Sequence, residues 1–161
     1  MGQLILQVAG RAGRAQKPGT VMIQSRNPEH PLLQLLLQQG YADFAEQLLS
    51  ERKTTDWPPY VHTALIRCEH PQTGMAFGYL DRVREIASSQ SFNPSMSVHV
   101  LGPAHAPMER VAGRYRAQLL LLCDNRKALH EVLGPLRPTL ETMPESRKVR
   151  WSLDVDPHDM L

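Results

Sequence analysis

An arginine pair near the start of the chain has the spacing to act on a phosphate group. Arg11 and Arg14 stand three residues apart in the run QVAGRAGR, which begins at Gln7, and on a helical turn they point to the same side. Phosphoryl transfer spreads negative charge over the γ-phosphate oxygens, and guanidinium groups neutralise that charge. Gly10 lets the backbone pack closely against an opposing surface. The run also fits a Gly- and Arg-rich loop without a catalytic role, and both interpretations stay open at this point.

A second basic set lies on two strands predicted in the C-terminal half of the chain. Side chains alternate between the two faces of a strand. One face carries Arg114, Arg116, Gln118, Lys148 and Arg150. Such a patch can follow a phosphate backbone, although Asp154 and Asp156 lie on the same face and dilute it. An ordinary solvated sheet face, or a face covered by another domain, is the alternative.

The composition excludes several classes of protein. The chain has 161 residues, a net charge of +2 and a hydrophobic content of 42%, which argues against a strongly basic histone-like binder and against global disorder. No run approaches the roughly 20 apolar residues of a membrane span. Cys68 and Cys123 form no C-x-x-C pair, so no metal site and no disulfide framework is predicted. We expect a soluble cytoplasmic protein.

The N-terminal third is predicted to be mostly helical. Hydrophobic spacing indicates a helix over residues 3–15, and Thr20–Ser25 has the apolar, β-branched character of a short strand. Residues 1–27 therefore look like the end of a larger domain. Residues 28–56 are predicted to form a helical hairpin, interrupted at Gly40, and a linker.

The remainder, residues 57–161, is predicted to form one α+β domain with the element order β-α-β-β-α-β. The predicted strands are Val61–Cys68, Ser97–Leu101, Arg114–Cys123 and Lys148–Asp156, and the helices are Met75–Ser89 and a segment capped by Asp124 or Asn125. Gly134-Pro135 and Pro138 are expected to kink or split the second helix. Gly102–Gly113 is expected to be a connection. This order is that of the ferredoxin-like, or split βαβ, plan, in which both helices cover one face of a four-stranded antiparallel sheet.

Matches to one protein family run along nearly the whole chain. The run QVAGRAGR resembles motif VI of superfamily 2 helicases. The letters ERK and WPPY within Glu51–Tyr60 resemble a junction in the PriA family of bacterial primosomal replication-restart helicases. Gly102-Pro103, RYRAQL at Arg114–Leu119 and VRWSLDVDP at Val149–Pro157 are similar to later segments of that family. Because the matches keep one order, the chain is identified as a member of it.

The resemblance implies the C-terminal part of an ATP-dependent 3′→5′ DNA helicase, with residues 1–27 as a remnant of its second, RecA-like lobe. In the full-length protein, Gly10, Arg11 and Arg14 would contact the nucleotide phosphates, with Arg14 as arginine finger and Gln7 positioning both arginines. ATP, Mg²⁺ and zinc are implied for the full-length family. The chain contains no G-x-x-x-x-G-K-[ST] loop, no D-E-x-H box and no paired C-x-x-C motifs. We therefore expect a fragment without cofactors and without ATPase activity of its own.

The resemblance also implies partners. PriA proteins act in DNA replication restart at stalled forks, where they bind branched and single-stranded DNA and assemble the primosome with other proteins. They also bind the acidic tail of the single-stranded-DNA-binding protein, and their C-terminal domain resembles a small ribosomal protein. Arg126 and Lys127 begin a capped helix and are candidates to receive that tail through charge-assisted hydrogen bonds, with a solvated helix start as the alternative. A nucleoid-associated cytoplasmic location follows from this role.

Two functions remain open for residues 57–161. The domain either binds DNA and protein partners itself, or it is a scaffold that braces the helicase lobes and binds little DNA. A standalone RNA-binding domain of ferredoxin-like type is a third alternative, and the absence of aromatic pairs on the central strands argues against it.

Overall fold

Three helices form the described part of the first of the two units into which the chain divides, Met1–Trp57. The computed structural model describes residues 2–12, 20–89 and 98–158. The helices are α1 (Gly2–Ala12), α2 (Pro31–Gln38) and α3 (Tyr41–Thr54). Gly2 lies so close to Phe44 that a β-carbon on it would come 2.6 Å from the ring. Among the described residues, no helix is long and apolar enough to cross a membrane.

The predicted helical hairpin is present because local signals start and separate its helices. Pro31 occupies the first turn of α2, where its missing N–H removes no helical hydrogen bond. The Nδ1 atom of His30 caps this helix by accepting a hydrogen bond from the Leu32 N–H at 3.3 Å. Between the two helices, Gly40 has a φ of 93°, a conformation that favours glycine. This residue allows α3 to begin directly after α2 ends.

The strand predicted at Thr20–Ser25 is wrong. These residues have no regular secondary structure. A strand requires a neighbouring strand to satisfy its backbone groups, and the described part of the first unit contains no strand. The end of the helix predicted over residues 3–15 lies outside the described residues, because the description of α1 ends at Ala12.

The second unit, Pro58–Leu161, is an α+β domain. Its described elements are β1 (His62–His70), α4 (Thr73–Ser89), β2 (Val98–Val111), β3 (Arg114–Cys123), α5 (Arg126–Thr142), a 3₁₀ turn (Pro144–Arg147) and β4 (Arg150–Val155). The strands lie in the order β2-β3-β1-β4, and every neighbouring pair is antiparallel. This arrangement confirms the predicted split βαβ fold, with β3 in the middle of the sheet and β4 at its edge.

Helices α4 and α5 cover one face of the sheet. Alternate residues of the two central strands point into this core, namely Ala64, Ile66 and Cys68 from β1 and Ala117, Leu119, Leu121 and Cys123 from β3. They meet Leu80 and Val83 of α4 and Leu129 and Leu136 of α5. Burying each large apolar side chain contributes about 1.5–3 kcal/mol. The intervening residues of both strands therefore point to the opposite face, which we call the open face. At one end of this face Thr63, Leu65 and Leu122 are buried, whereas its charged part is accessible.

The segment Gly102–Gly113 is predicted to be a connection, but most of it continues strand β2. Two register shifts, one after Leu101 and one after His105, accommodate additional residues in β2 while it stays paired with β3. Its prolines are tolerated because β2 is an edge strand. The shifts also break the alternation of apolar and polar residues, and for this reason the sequence pattern does not indicate a strand there.

Helix α5 is continuous from Arg126 to Thr142, so the prediction that prolines split it is wrong. Pro135 and Pro138 are exposed on its outer side. Leu136 and Leu140 are fully buried on the other side. This packing against the core outweighs the backbone hydrogen bonds that the prolines remove.

Strand β4 is shorter than predicted, because it starts at Arg150 rather than at Lys148. Lys148 ends the 3₁₀ turn, and its N–H donates to the Glu145 carbonyl at 2.9 Å. The alternation rule that placed Lys148 beside Arg150 on the open face therefore does not apply to it.

Candidate nucleic-acid interface

A row of three charged side chains crosses the open face. Glu69 of β1 is directly paired with Arg116 of β3 and with Arg150 of β4. Because neighbouring strands lie about 4.8 Å apart, the two arginines flank one carboxylate. Arg150 Nη1 lies 3.0 Å from Glu69 Oε1. In the part of the chain that the structure describes, no carboxylate forms an ion pair with Arg116, so the row carries an excess positive charge.

A second row lies beside the first. Arg67 of β1 is paired with Gln118 of β3 and with Ser152 of β4. Its Nη1 atom lies 3.4 Å from the carboxylate of Asp154, which is two residues after Ser152 in β4. Arg67 is therefore held in place by an acidic neighbour, as Arg150 is in the first row.

The two rows border an open pocket of about 370 Å³. It is lined by Arg67, Glu69, Arg116, Arg150 and Ser152, with Ala106 of β2 at one side. The planar guanidinium group presents a fork of donors that matches the oxygen atoms of phosphate. Three such groups and a hydroxyl around one pocket can therefore bind a phosphate-sized anion.

The structure brings three of the five predicted DNA-binding residues together. Arg116, Gln118 and Arg150 lie in the two rows. Arg114 shares their face but lies at the far end of β3, where it pairs with Val111. Lys148 precedes β4 and belongs to neither row. Their binding of DNA remains a prediction.

Sequence analysis missed two residues of this site, Arg67 and Glu69. Both lie on β1 between residues that point into the core, Ile66 and Cys68. The alternation that applies to β3 and β4 also applies to β1, and it places Arg67 and Glu69 on the open face. The alternation in β1 can be seen in the sequence. Only the position of β1 between β3 and β4 shows that Arg67 and Glu69 lie beside the other charged residues.

Arg126 and Lys127 occupy the start of α5, as predicted for a capped helix. Asn125 is the N-cap, and its side-chain oxygen accepts a hydrogen bond from the Ala128 N–H at 2.7 Å. Lys127 Nζ is 3.9 Å from Glu131 Oε1, and its side chain is 88% exposed. Two cations in the first turn add to the positive end of the helix dipole rather than opposing it. The two cations and the helix dipole favour an anionic group at this helix start, whereas Asp124 and Glu131 carry the opposite charge beside them.

The described residues of the QVAGRAGR run lie along α1. Gln7, Gly10 and Arg11 share one side of the helix because they are three and four residues apart. All three are exposed. Gly13 and Arg14 lie outside the described residues. The role of the run in nucleotide chemistry remains a prediction.

The cysteines have no chemical role in this site. Both are buried and free. Burial, and to a smaller extent the charge of Glu69, raises the pKa of the Cys68 thiol to about 12. This thiol is therefore protonated at neutral pH and is not a nucleophile. Within residues 2–12, 20–89 and 98–158, no group of three or more His, Cys, Asp or Glu side chains is placed to hold a metal ion.

Known proteins resemble the chain along most of its length. Residues 53–158 match the family of the primosomal protein N C-terminal domain. The replication restart protein PriA of Haemophilus influenzae is 38% identical over 160 residues, which cover 99% of this chain and 21% of that protein. The PriA proteins of Bacillus subtilis and of a Synechocystis strain are 30% and 35% identical, over 99% and 96% of this chain and 19% and 18% of theirs. The chain spans about a fifth of the length of these relatives.

The family match includes the whole sheet and both charged rows of the open face. Among solved structures, the designed protein Foldit4 aligns with 62% of this chain at a TM-score of 0.42 and 10% identity, which is too low to inform function. The match over residues 53–158 covers more than half of the sequence. The chain therefore belongs to the family of primosomal protein N C-terminal domains.

Proposed function

We propose that the chain is the DNA- and partner-binding C-terminal part of an ATP-dependent 3′→5′ helicase for replication restart. The second unit binds forked and single-stranded DNA through the open face of its sheet. The row Arg116–Glu69–Arg150 carries this proposal. Among the described residues Arg116 has no ion-pair partner, and it lines a pocket large enough to hold a phosphate group. The name that the relatives share, replication restart protein PriA, supports a role in replication restart.

The composition of the open face favours contacts to the DNA backbone over contacts to bases. The polar residues that line the pocket are three arginines, a glutamate and a serine. Its aromatic lining residue, Trp151, packs its ring against the core. Arginine binds phosphates, and such contacts position a protein on DNA without reading its sequence. We therefore expect binding that depends on salt and on the shape of the DNA.

Fluorescence anisotropy with labelled forked DNA at roughly 50 and 200 mM salt tests this function. Log affinity falls with log salt concentration, and each lost phosphate contact makes this slope shallower by about 1. The double variant Arg116→Gln, Arg150→Gln should therefore bind more weakly, with a slope reduced by about 2, and should keep its melting temperature. Arg82→Gln with Arg137→Gln is the matched control, because it also removes two charges, and each of these arginines forms a 3.0 Å ion pair but lies on a helix.

The same measurement separates the proposed function from the scaffold alternative. A scaffold that braces the helicase lobes would bind neither forked nor single-stranded DNA, and the double variant would behave as wild type. If both variants lost affinity equally, the net charge of the chain rather than the open face would be responsible.

We further propose that Arg126 and Lys127 receive the acidic tail of the single-stranded-DNA-binding protein. Their position at the N-terminus of α5 and the exposure of Lys127 support this assignment. An acidic segment there gains both charge-assisted hydrogen bonds and a favourable interaction with the helix dipole. The remaining primosome proteins stay unassigned to a surface.

In the full-length helicase, we propose that Arg11 and Arg14 contact the nucleotide phosphates together with Gly10, and that Gln7 positions them. Catalysis then needs ATP and Mg²⁺ held by an opposing lobe. The chain alone should show no ATP hydrolysis in a phosphate-release assay. Turnover by the pure chain that disappears in Arg14→Ala would refute this assignment.

A further inference from the structure

A tight hairpin joins the end of β2 to the start of β3. We call its residues 106–115 the hairpin tip. Val111 pairs with Arg114 across a two-residue turn. The turn residues Ala112 and Gly113 both have positive φ, 49° and 78°, which is the geometry of the turns that join antiparallel strands most closely. The tip is therefore narrow.

A wide bulge changes the chemistry of this tip. Between the pairs His105–Ala117 and Arg110–Tyr115, four residues of β2 stand opposite the single residue Arg116 of β3. Ala106 at the start of the bulge is buried, whereas the side chain of Met108 is 63% exposed. The bulge thus turns a methionine out of the sheet, and Val111 is also exposed nearby, at 41%.

The tip carries one arginine on each of its two faces. Arg110 pairs with Tyr115 and lies over its ring at 5.1 Å from the ring centre. The next pair, Val111–Arg114, points to the other face because side chains alternate. The one carboxylate of the tip, that of Glu109, has its Oε1 atom 3.3 Å from His105 Nδ1. Two cations therefore flank exposed apolar side chains.

The base of the hairpin is held by helix α4. The rings of Phe77 and His105 meet edge to face, with centres 4.7 Å apart. Arg84 Nη1 lies 3.4 Å from the carbonyl oxygen of Gly102. These contacts orient the tip before any partner arrives, which lowers the entropy cost of binding.

We propose that the hairpin tip inserts at the branch point of forked DNA. At a fork, two phosphate backbones diverge from one terminal base pair. Arg110 and Arg114, on opposite faces, contact one backbone each, while Met108 packs against the exposed base pair as apolar wedges do in bent DNA. A continuous duplex offers no such opening. This inference rests on the proposed function, because it requires that the second unit bind DNA.

The test compares the affinity of the whole chain for a fork and for a duplex of equal length, with 2-aminopurine beside the branch as a reporter of unstacking. Met108→Ala should lower fork affinity by about fivefold, because it removes part of a side chain that would be buried against the base pair in the complex. It should leave duplex affinity unchanged and abolish the fluorescence rise on binding. Met22→Ala is the matched control, since Met22 is exposed at 93% and lies in the first unit.

A second variant separates the charges from the wedge. The double variant Arg110→Gln, Arg114→Gln should also reduce the preference for the fork. It should make the affinity less dependent on salt, whereas Met108→Ala should leave the salt dependence unchanged. Equal losses for fork and duplex in Met108→Ala, or no loss in either, would overturn the inference while the proposed function stands. Absence of DNA binding by the wild-type chain would overturn both.

Discussion

Glu69 and Arg150 form an ion pair across β1 and β4, with 3.0 Å between Oε1 and Nη1. The Glu69 side chain is 24% exposed, whereas that of Arg150 is 75% exposed. On its other side, Glu69 is the direct partner of Arg116. One partly buried carboxylate therefore lies between two cations, pairs with one of them, Arg150, and limits the attraction of the open face for anions.

This relationship predicts that Glu69→Gln strengthens DNA binding. The substitution removes a negative charge beside the pocket and frees the Arg150 guanidinium. Because exposed ion pairs are worth about 0.2–1 kcal/mol, the gain in affinity should be about 1.4-fold to fivefold. It should appear in fluorescence anisotropy with forked DNA at low salt and shrink at higher salt, where screening is stronger.

The control for Glu69→Gln is Glu85→Gln, which makes the same change in net charge. Glu85 also forms a 3.0 Å ion pair, with Arg82 on α4. An equal gain in both variants would mean that net charge alone acts. A loss of affinity in Glu69→Gln would mean that the carboxylate is needed to hold the arginines in position, which would contradict the prediction.

A second prediction concerns the start of α5. Lys127→Gln should weaken binding of an acidic peptide about twofold to fivefold, because it removes a charge that acts with the helix dipole, and Arg126→Gln should do the same. Affinity for forked DNA should not change. Calorimetric titration measures the peptide affinity.

Arg137→Gln provides the control on the same helix. Lys127 and Arg137 each pair with a glutamate four residues later, at 3.9 Å and 3.0 Å respectively, but Arg137 lies in the second half of α5. If Arg137→Gln weakens peptide binding as much as Lys127→Gln does, the peptide does not recognise the helix start.

The sheet could be predicted from the sequence because the first eight residues of the central strand β3 alternate between the two faces. In β3, Leu119 and Leu121 point inward and Arg116 and Gln118 outward. That alternation sets the buried face, and the order of the elements then sets the topology. The N-cap of α5 could be predicted for a similar reason, since the Asn125 side chain bonds only to its own helix.

The remainder depends on contacts between distant residues. The row across the open face requires β1 to lie between β3 and β4, and Glu69 gains its role only from that pairing. Bulges hide the second half of β2, because its two register shifts interrupt the alternation. The strand predicted at Thr20–Ser25 is wrong because propensity alone does not supply a neighbouring strand.

A third prediction tests the first of these bulges through Gly102. Its φ is 105°, and a β-carbon there would lie 2.9 Å from the carbonyl oxygen of Gln118. Gly102→Ala must therefore strain β2 or displace β3, and we expect a loss of about 1–3 kcal/mol in the free energy of unfolding. Urea denaturation measures it.

Gly78→Ala is the matched control within the same domain. Gly78 lies inside α4, is not followed by a proline, and has no neighbouring element within 4 Å of the position of a β-carbon, so alanine should stabilise the helix by about 0.5–1 kcal/mol. If both variants changed the free energy of unfolding in the same direction, the close contact between Gly102 and Gln118 would not be what limits the residue at this position.

The last prediction concerns stability at high pH. Burial, with a smaller contribution from Glu69, raises the pKa of Cys68 from 9.0 to about 12, and burial also raises the pKa of Tyr79. Because the folded state holds the thiol proton more tightly, the stability that depends on it is complete below pH 9 and is lost as the pH rises towards about 12.

The urea midpoint of the wild-type chain should therefore fall as the pH is raised above about 9. Cys68→Ala removes the thiol, so its midpoint should start lower at neutral pH, because of the smaller side chain, and then fall less steeply. Cys123→Ala, which removes another buried sulfur from the core, controls for the loss of packing. A curve for Cys68→Ala that runs parallel to that of wild type between about pH 8 and 11 would contradict the assignment of the pH dependence to this thiol.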